Sequence, residues 1–439
     1  MKVRILILGG GFAAIATAQR LERRLRPGEA EIVMISRENF SLFTPMLPEV
    51  SSGEIDVRHI VTPVRSQLEQ TEFILGEVRN IDCERKIVTF AHTLRGDEGV
   101  LAYDHLIVAL GSVISTYNLP GVAERVFALK TLEDAGILRN RFMWLLELAD
   151  STRDDHERRR LLTMAVIGGG FTGVEATGEM VELFFDVRKF FPNVRKSDIR
   201  IALIEGGAAL LAGLPPKMGE YALRNLQKRG VEVLLGDGVK CADEDGLELA
   251  SGRRIETRTI VWSAGVRVSP IVEQSALPHA KQGAIAVERD MSVTGLPGVW
   301  AIGDCAAIPD GAGGFYPPTA QHAIREGPVL ADNILAHLRG GQTRHFQYTS
   351  LGMMASLGGR KAVAELPGKR VLTGFPAWLL WRSYYLSRLP GLERKLRVAF
   401  DWTLELLFAR DISELRVYSS QAQSSAAGDA GIRPRPGNQ

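Results

Sequence analysis

Glycines at fixed spacing, present twice, are the residues of this sequence best suited to hold a charged ligand. Met164–Ile167 is a short apolar run that reads as a buried parallel strand, and it opens into Gly168-Gly169-Gly170-Phe171-Thr172-Gly173 and then a helical pattern. Gly168, Gly170 and Gly173 therefore fall on G-x-G-x-x-G. The first glycine permits a tight turn, the second lets backbone N–H groups approach a pyrophosphate, and the third lets helix and strand pack closely. The phosphates then face the positive end of the helix dipole. The chain begins with the same device, Val3–Leu8 followed by Gly9-Gly10-Gly11-Phe12-Ala13-Ala14, a G-x-G-x-x-A version. An ordinary turn is the alternative reading of either run alone; two strand–turn–helix units together imply two dinucleotides.

Other candidate residues stand at strand ends. Ile199–Ile204 closes on Glu205, where a carboxylate can accept two hydrogen bonds from an adenosine ribose and would repel a 2′-phosphate by roughly 1–4 kcal/mol. NADH is therefore expected over NADPH, with a plain surface glutamate as the other reading. In the first unit Ala30–Ile35 is followed by Ser36-Arg37-Glu38, so either Ser36 or Glu38 takes the ribose, with Arg37 beside it, or the ribose is held more weakly. Asn39–Pro48, which contains Thr44 and Pro45, reads as a rigid loop against a flat ring or as a packed surface loop. Tyr103–Ser112 is an apolar strand whose Ala109 and Gly111 can return near the first cofactor, and Thr259–Val266 runs into Ala264 and Gly265 in the same way. Val299–Asp304 presents Gly303 and Asp304, the latter either a ligand for ribitol hydroxyls or a helix N-cap. Tyr316–Gly327 opens a helix after two prolines and aims Ala320 and Gln321 at that site.

The elements that must position these residues imply an α/β chain. At 439 residues it is too long for one core. The reading is two Rossmann-like dinucleotide-binding domains, residues 1–115 with 268–340 and an inserted 116–267, followed by C-terminal strands and helices at 341–418 and a disordered tail at 419–439. Helices are expected over Val57–Glu69 and most of Leu132–Arg160, with Arg153–Arg160 a solvated surface. Apolar content of 45%, charged content of 24% and a net charge of +2 fit a globular protein and argue against a dedicated nucleic-acid binder. Cys83, Cys241 and Cys305 are far apart, so neither a structural zinc site nor a local redox disulfide is signalled, and no metal is expected.

The first strand starts at residue 3, leaving no room for a signal peptide, so the cofactor domains are expected in the cytoplasm. No uncharged apolar run reaches the length of about 18 residues that a membrane-spanning helix needs. A membrane-surface segment is still compatible. Trp378, Trp381, Tyr385 and Leu389 recur at helical spacing, and after Pro390-Gly391 a second helix carries Leu392, Leu396, Phe400, Thr403 and Leu407 on one stripe, with Arg394, Arg397, Asp401 and Glu405 on the other. Such helices either lie in the headgroup layer or pack on the protein's own core or a dimer interface.

Taken together, GGGFAA, SLFTPMLPEV, GGGFTGVE, Glu205, TIVWSAGV, WAIGDCA, PPTAQHA, and Gly352–Leu366 followed by PAWLLW resemble the type II NADH:quinone oxidoreductases over about residues 3–416. These belong to the two-dinucleotide-binding flavoproteins. The resemblance implies FAD in the first domain, NADH in the second and hydride transfer to the flavin. It further implies reduction of a membrane quinone at the flavin's other face, without proton pumping. It also implies a peripheral protein on the cytoplasmic face of the inner membrane, contacting surface lipid, and it leaves a homodimer open. Glu175 and Glu179 match family positions in the second helix, with Glu175 near the nicotinamide, and Gln321 matches a quinone-pocket glutamine. The family's Ala-Gln-x-Ala-x-Gln reads here Ala320-Gln321-His322-Ala323-Ile324-Arg325, with arginine for the second glutamine. The rival readings are a sulfide:quinone oxidoreductase, which needs a cysteine pair, and a nonenzymatic NADH-sensing flavoprotein.

Overall fold

The computed structural model describes residues 2–414. They fall into two compact units between which the chain passes repeatedly: residues up to Leu42, Val61–Val113 and Val266–Thr349 form the first, and Phe43–Ile60, Ile114–Gly265 and the residues from Ser350 form the second. Phe43–Ile60, expected in the first domain, thus clusters with the second, and so does the C-terminal region expected as a separate segment. The expected tail at 419–439 lies outside the described residues.

The first unit is built on a seven-stranded sheet in the order Val299–Ala301, His105–Val108, Val3–Leu8, Ala30–Ser36, Glu72–Asp82, Ile87–His92, Glu98–Ala102. The first five run parallel and the last two add antiparallel. The central strand is a continuous apolar run because both faces of a parallel sheet are covered; Ile5, Leu6, Ile7 and Leu8 are fully buried. Register aligns Leu8 with Ile35 on one side and Val108 on the other, so these strands end together, beneath the first glycine turn.

The second unit repeats the plan. Its five-stranded parallel sheet has the order Val126–Ala128, Thr259–Trp262, Thr163–Ile167, Arg200–Glu205, Glu232–Leu235. Leu132–Ser151 is started by a capping box in which Thr131 Oγ1 accepts from the Asp134 N–H at 3.1 Å and the Asp134 carboxylate accepts from the Thr131 N–H at 2.8 Å. After Ser350 an antiparallel meander, Met354–Ser356, Ala362–Leu366 and Arg370–Gly374, leads into the helices Phe375–Arg388 and Leu392–Glu405.

Three local expectations change, and one open alternative is narrowed. Val57–Glu69 is not a helix: Val57–His59 and Val64–Ser66 are single 3-10 turns around a strand, Val61–Pro63, that pairs with Phe40–Leu42. Pro63 has no N–H to donate and biases Thr62 toward extended backbone, which overrides the apolar spacing. Asn39–Pro48, expected as a rigid or packed loop rather than a strand or helix, is made of short regular elements. It contains that strand, a 3-10 turn over Thr44–Met46 and the start of a short helix, Leu47–Ser51, which takes Pro48 in its first turn, where the missing N–H costs nothing. Arg153–Arg160 is not simply solvated, since Arg158 is buried and donates to Ala149 O at 3.2 Å and to Thr152 O. Finally, the Trp381 and Leu389 face of the penultimate helix is core, at 1% and 2% exposure. The Leu392–Glu405 helix displays its apolar stripe, with Leu392, Leu396 and Phe400 between 61% and 72% exposed and Leu407, just beyond it, at 73%. Among the described residues no helix is long and apolar enough to cross a membrane.

Candidate functional site

The two glycine turns are built alike. The Gly9 N–H donates to Ile35 O and the Gly168 N–H to Ile204 O, both at 2.8 Å, and both residues have left-handed φ, +109° and +105°. A Cβ on Gly168 would lie 2.8 Å from the Ser263 and Ala264 backbone, and one on Gly9 would lie 2.3 Å from Ala109 O. Ala109 and Ser263 thus occupy equivalent places, each directly after the neighbouring strand and under the turn, with Ala264 one residue further on. Gly11 and Gly170 differ in kind: their φ values of −79° and −74° suit any residue, and a Cβ on either would meet nothing within 4 Å. They are the N-caps of Phe12–Arg24 and Phe171–Val187, and neither helix has a side-chain cap. An open backbone surface at an uncapped helix start, in both turns, is the form that receives a pyrophosphate. The two dinucleotide cofactors fit this structure on that ground. Phe12, Ala13, Phe171 and Thr172 supply the first helical turns, while Ala14 and Gly173 sit at the packing positions; a Cβ on Gly173 would lie 1.8 Å from Gly168 O.

The residues expected at a ribose differ between the turns. Glu205 Oε2 accepts from the Gly169 N–H and Oε1 from the Gly207 N–H, each at 2.6 Å, so the carboxylate braces the glycine loops and each oxygen keeps a second lone pair for a ligand hydroxyl. Glu205→Gln replaces one acceptor by an NH₂ facing a backbone donor, a loss of about 1–3 kcal/mol. It should lower kcat/KM for NADH more than for NADPH, and an unchanged ratio of the two would remove Glu205 from the ribose. In the first unit Ser36 is buried, with its Oγ 2.7 Å from where a Gly10 Cβ would lie, whereas Arg37 and Glu38 are exposed and pair with each other at 3.5 Å. Of the two alternatives for the ribose, Ser36 is the one against the turn.

Elsewhere in the first unit, Asp304 lies in a 3-10 turn, Gly303–Cys305, directly after the Val299–Ala301 strand, and Oδ2 accepts from Ser112 Oγ at 2.6 Å. Gly111, at φ +65°, precedes Ser112. The Gly303 N–H donates to Glu326 Oε2 at 2.7 Å; Glu326 is buried, and burial raises its pKa to about 7. Sequence reasoning passed over Glu326, whose only signal was an acid on the inward face of the Ala320–Leu338 helix. Ala320 and Gln321 open that helix, and Gln321 Oε1 accepts from the Tyr348 hydroxyl at 3.0 Å. Cys305 is fully buried and its pKa is pushed up to about 12 by burial, which keeps the thiol protonated and unreactive. All three cysteines are free thiols. Among the described residues no group of His, Cys, Asp and Glu side chains is arranged to hold a metal.

In the second unit, Thr44 and Pro45 form the 3-10 turn beside the Leu47–Ser51 helix. Ala264 O accepts from the Tyr117 hydroxyl at 2.8 Å, and Gly265 lies against that same phenol. Glu175 is buried on the Phe171–Val187 helix, and its Oε1 accepts from the Ser356 N–H at 3.0 Å. Burial raises its pKa to about 8, against the Ser356 N–H and the Trp381 indole, which favour the charged form. One turn on, Glu179 Oε2 accepts from Ser52 Oγ and from Arg410 Nη2, both at 3.1 Å. Arg410 also reaches Glu405 at 3.1 Å and Glu54 at 3.4 Å, and Arg382 pairs with Glu54. Glu49 and Glu54 are raised well above the ordinary carboxyl range by burial and by the Glu179 charge, and Glu49 Oε2 has no hydrogen-bond partner. Glu49, Glu54, Glu179, Arg382, Glu405 and Arg410 line a cavity of about 430 Å³. Glu179 was legible in the sequence; Glu49, Glu54, Arg382 and Arg410, distant in the chain, were not.

Residues 3–327 match the family described as pyridine nucleotide-disulphide oxidoreductase, and residues 351–411 match the NDH2 C-terminal domain. The type II NADH:quinone oxidoreductase Ndh of Mycobacterium tuberculosis is 33% identical over 454 residues, covering 97% of this chain and 96% of the relative. The chain belongs to the type II NADH:quinone oxidoreductase family. Another family relative, the mitochondrial internal alternative NAD(P)H-ubiquinone oxidoreductase of Arabidopsis thaliana, is 31% identical over 94% of this chain and 86% of its own length. The fold of NDH2 from Plasmodium falciparum, solved in complex with NADH, superposes with a TM-score of 0.88 at 21% identity, over 94% of this chain and all of that one. The sulfide:quinone oxidoreductase of Aquifex aeolicus gives 0.69 at 19% identity over 93% of this chain and 96% of that one, so the wider fold extends beyond the family. The family's C-terminal domain corresponds to the meander and the two last helices of this chain.

Proposed function

We propose that this protein is an FAD-dependent NADH:quinone oxidoreductase, with FAD at the Gly9 turn and NADH at the Gly168 turn. The observation that carries the reading is the pair of open, uncapped glycine turns, the second braced by Glu205, in a chain that matches the family along nearly its whole length. When bound, the flavin supplies hydride acceptance and two-electron release. Everything else falls to the chain. Gly11 and Gly170 admit the two pyrophosphates, Asp304 meets polyol hydroxyls, and Glu175 stands at the nicotinamide end of the second helix. Gln321 offers an amide to a quinone carbonyl. Quinol formation from NADH consumes one proton, and Glu175, with its pKa near neutrality, is suited to hold it.

The exposed Leu392–Phe400–Leu407 stripe supports attachment to a membrane surface, where a lipid-soluble quinone is reached without crossing water. NADH then arrives from the cytoplasmic side. A sulfide donor is disfavoured by the chemistry of the thiols: Cys305 is buried and protonated, and no cysteine pair is present to carry sulfur. The test is to purify the chain in detergent, record its visible spectrum, and compare NADH and sulfide as donors with a water-soluble quinone as acceptor. A flavin spectrum with rapid NADH oxidation is expected. Bleaching by sulfide without NADH oxidation would overturn the reading, and a lasting complex with NADH that reduces no acceptor would make the protein a sensor.

A further inference from the structure

The helix that starts at Ala320 carries a connected polar group that neither the glycine turns nor the strand ends require. Arg325 stands where the family pattern has glutamine. Its Nη1 donates to Gln321 O at 2.7 Å, and its guanidinium carbon lies 4.3 Å from the centre of the Tyr348 ring. The Tyr348 hydroxyl donates to Gln321 Oε1 at 3.0 Å. Tyr348 is itself fixed: its N–H donates to the Tyr316 hydroxyl at 3.3 Å, the His322 ring stands edge-on to it at 5.1 Å, and Tyr316 packs on buried Phe346. Arg325 thus spends its charge on an aromatic face and on the peptide oxygen of Gln321.

The direction of polarisation follows from elementary chemistry. A cation over a phenol draws density from the ring and makes its O–H a better donor. A donor on the oxygen of a carboxamide draws density from the nitrogen and makes the N–H bonds better donors in turn, since linked hydrogen bonds reinforce one another. Holding Oε1 also fixes which end of the amide is the donor end.

We propose that Arg325 and Tyr348 are positioning residues that orient and polarise Gln321 as an amide donor to the carbonyl oxygen of the electron acceptor, and so bias the enzyme toward quinones. The inference rests on the reading of Gln321 as the quinone contact. Negative charge grows on that oxygen as the quinone is reduced, so a stronger N–H donor assists reduction more than it assists binding.

The test uses the detergent-purified full chain at saturating NADH, with a water-soluble quinone and, separately, ferricyanide, which accepts electrons without a carbonyl. Tyr348→Phe keeps the ring and removes the hydroxyl. It should lower kcat for the quinone by about fivefold to tenfold with a smaller change in KM, and change ferricyanide turnover by less than about twofold. In a Gln321→Ala background the same change should have no further effect, because Tyr348 acts through Gln321. Arg325→Gln should lower quinone turnover in the same direction, and Arg325→Lys should restore part of it. Equal losses for both acceptors, an undiminished loss in the Gln321→Ala background, or no loss at all would overturn the inference. Wild-type protein that reduces ferricyanide but no quinone would remove the quinone reading, and the relay with it; wild-type quinone turnover matched by Tyr348→Phe would remove the relay alone.

Discussion

Gly170→Val should raise the KM for NADH by about tenfold to a hundredfold while the purified protein keeps its flavin and its fold. The Gly170 backbone is extended and its Cβ position is open, so valine fits the free protein; the change at this N-cap costs about 1 kcal/mol or less. Its methyl groups would instead occupy the surface that a pyrophosphate must approach. Gly173→Ala is the informative contrast, because its Cβ would lie 1.8 Å from Gly168 O and force the helix off the strand. That variant should lose about 3 kcal/mol or more of stability, with folding and NADH turnover failing together. Thermal unfolding and steady-state kinetics on the two proteins separate the roles of the second and third glycines. A Gly170→Val enzyme with an unaltered KM for NADH would place the nucleotide elsewhere. Gly11→Val, by the same reasoning, should yield a folded protein with little bound flavin.

These turns were legible because their chemistry is local. The turn, the open backbone and the helix start all lie within six consecutive residues, and Glu205 was found by following the next strand to its end. Reading failed where distant chain decides the outcome. Apolar spacing over Val57–Glu69 suggested a helix, yet Pro63 and pairing with Phe40–Leu42 make a strand there. Trp381 and Leu389 have the spacing of a membrane-facing stripe, but the fold turns that face inward and leaves Leu392, Leu396 and Phe400 outside. Nothing in a linear pattern distinguishes those two stripes, because amphipathicity reports that a face is apolar and not what covers it. Glu326, Glu49 and Glu54 were invisible for a related reason: a buried acid looks in sequence like any surface acid.

Arg410→Met should destabilise the second unit by about 3–5 kcal/mol near pH 8, and by clearly less near pH 5. The Arg410 guanidinium is 3% exposed and serves Glu54, Glu179 and Glu405 at once. Methionine fills similar space but leaves those carboxylates without their shared cation. The sign of the pH dependence comes from Glu54. Its folded pKa already lies above 4.5, and Arg410 is among the groups that hold it down, so the substitution raises it further. Between the unfolded value and that raised value the folded protein keeps a proton that the unfolded chain has released, and stability therefore falls as pH rises. Near and below pH 4.5 the folded variant and the folded wild type both hold the Glu54 proton, and the penalty is smallest. Thermal unfolding of variant and wild type at both pH values measures the difference. Adding Glu54→Gln should return part of the loss at pH 8 and little at pH 5. A loss independent of pH would instead assign the cost to the Arg410 bond with Glu179 O at 3.3 Å and to packing. Arg410 joins the residues after the last helix to the Glu175–Glu179 helix and to Glu54. Its charge therefore helps to hold the C-terminal segment against the helix that the second glycine turn begins, beside the bond from its own N–H to Asp186 Oδ2 at 2.9 Å.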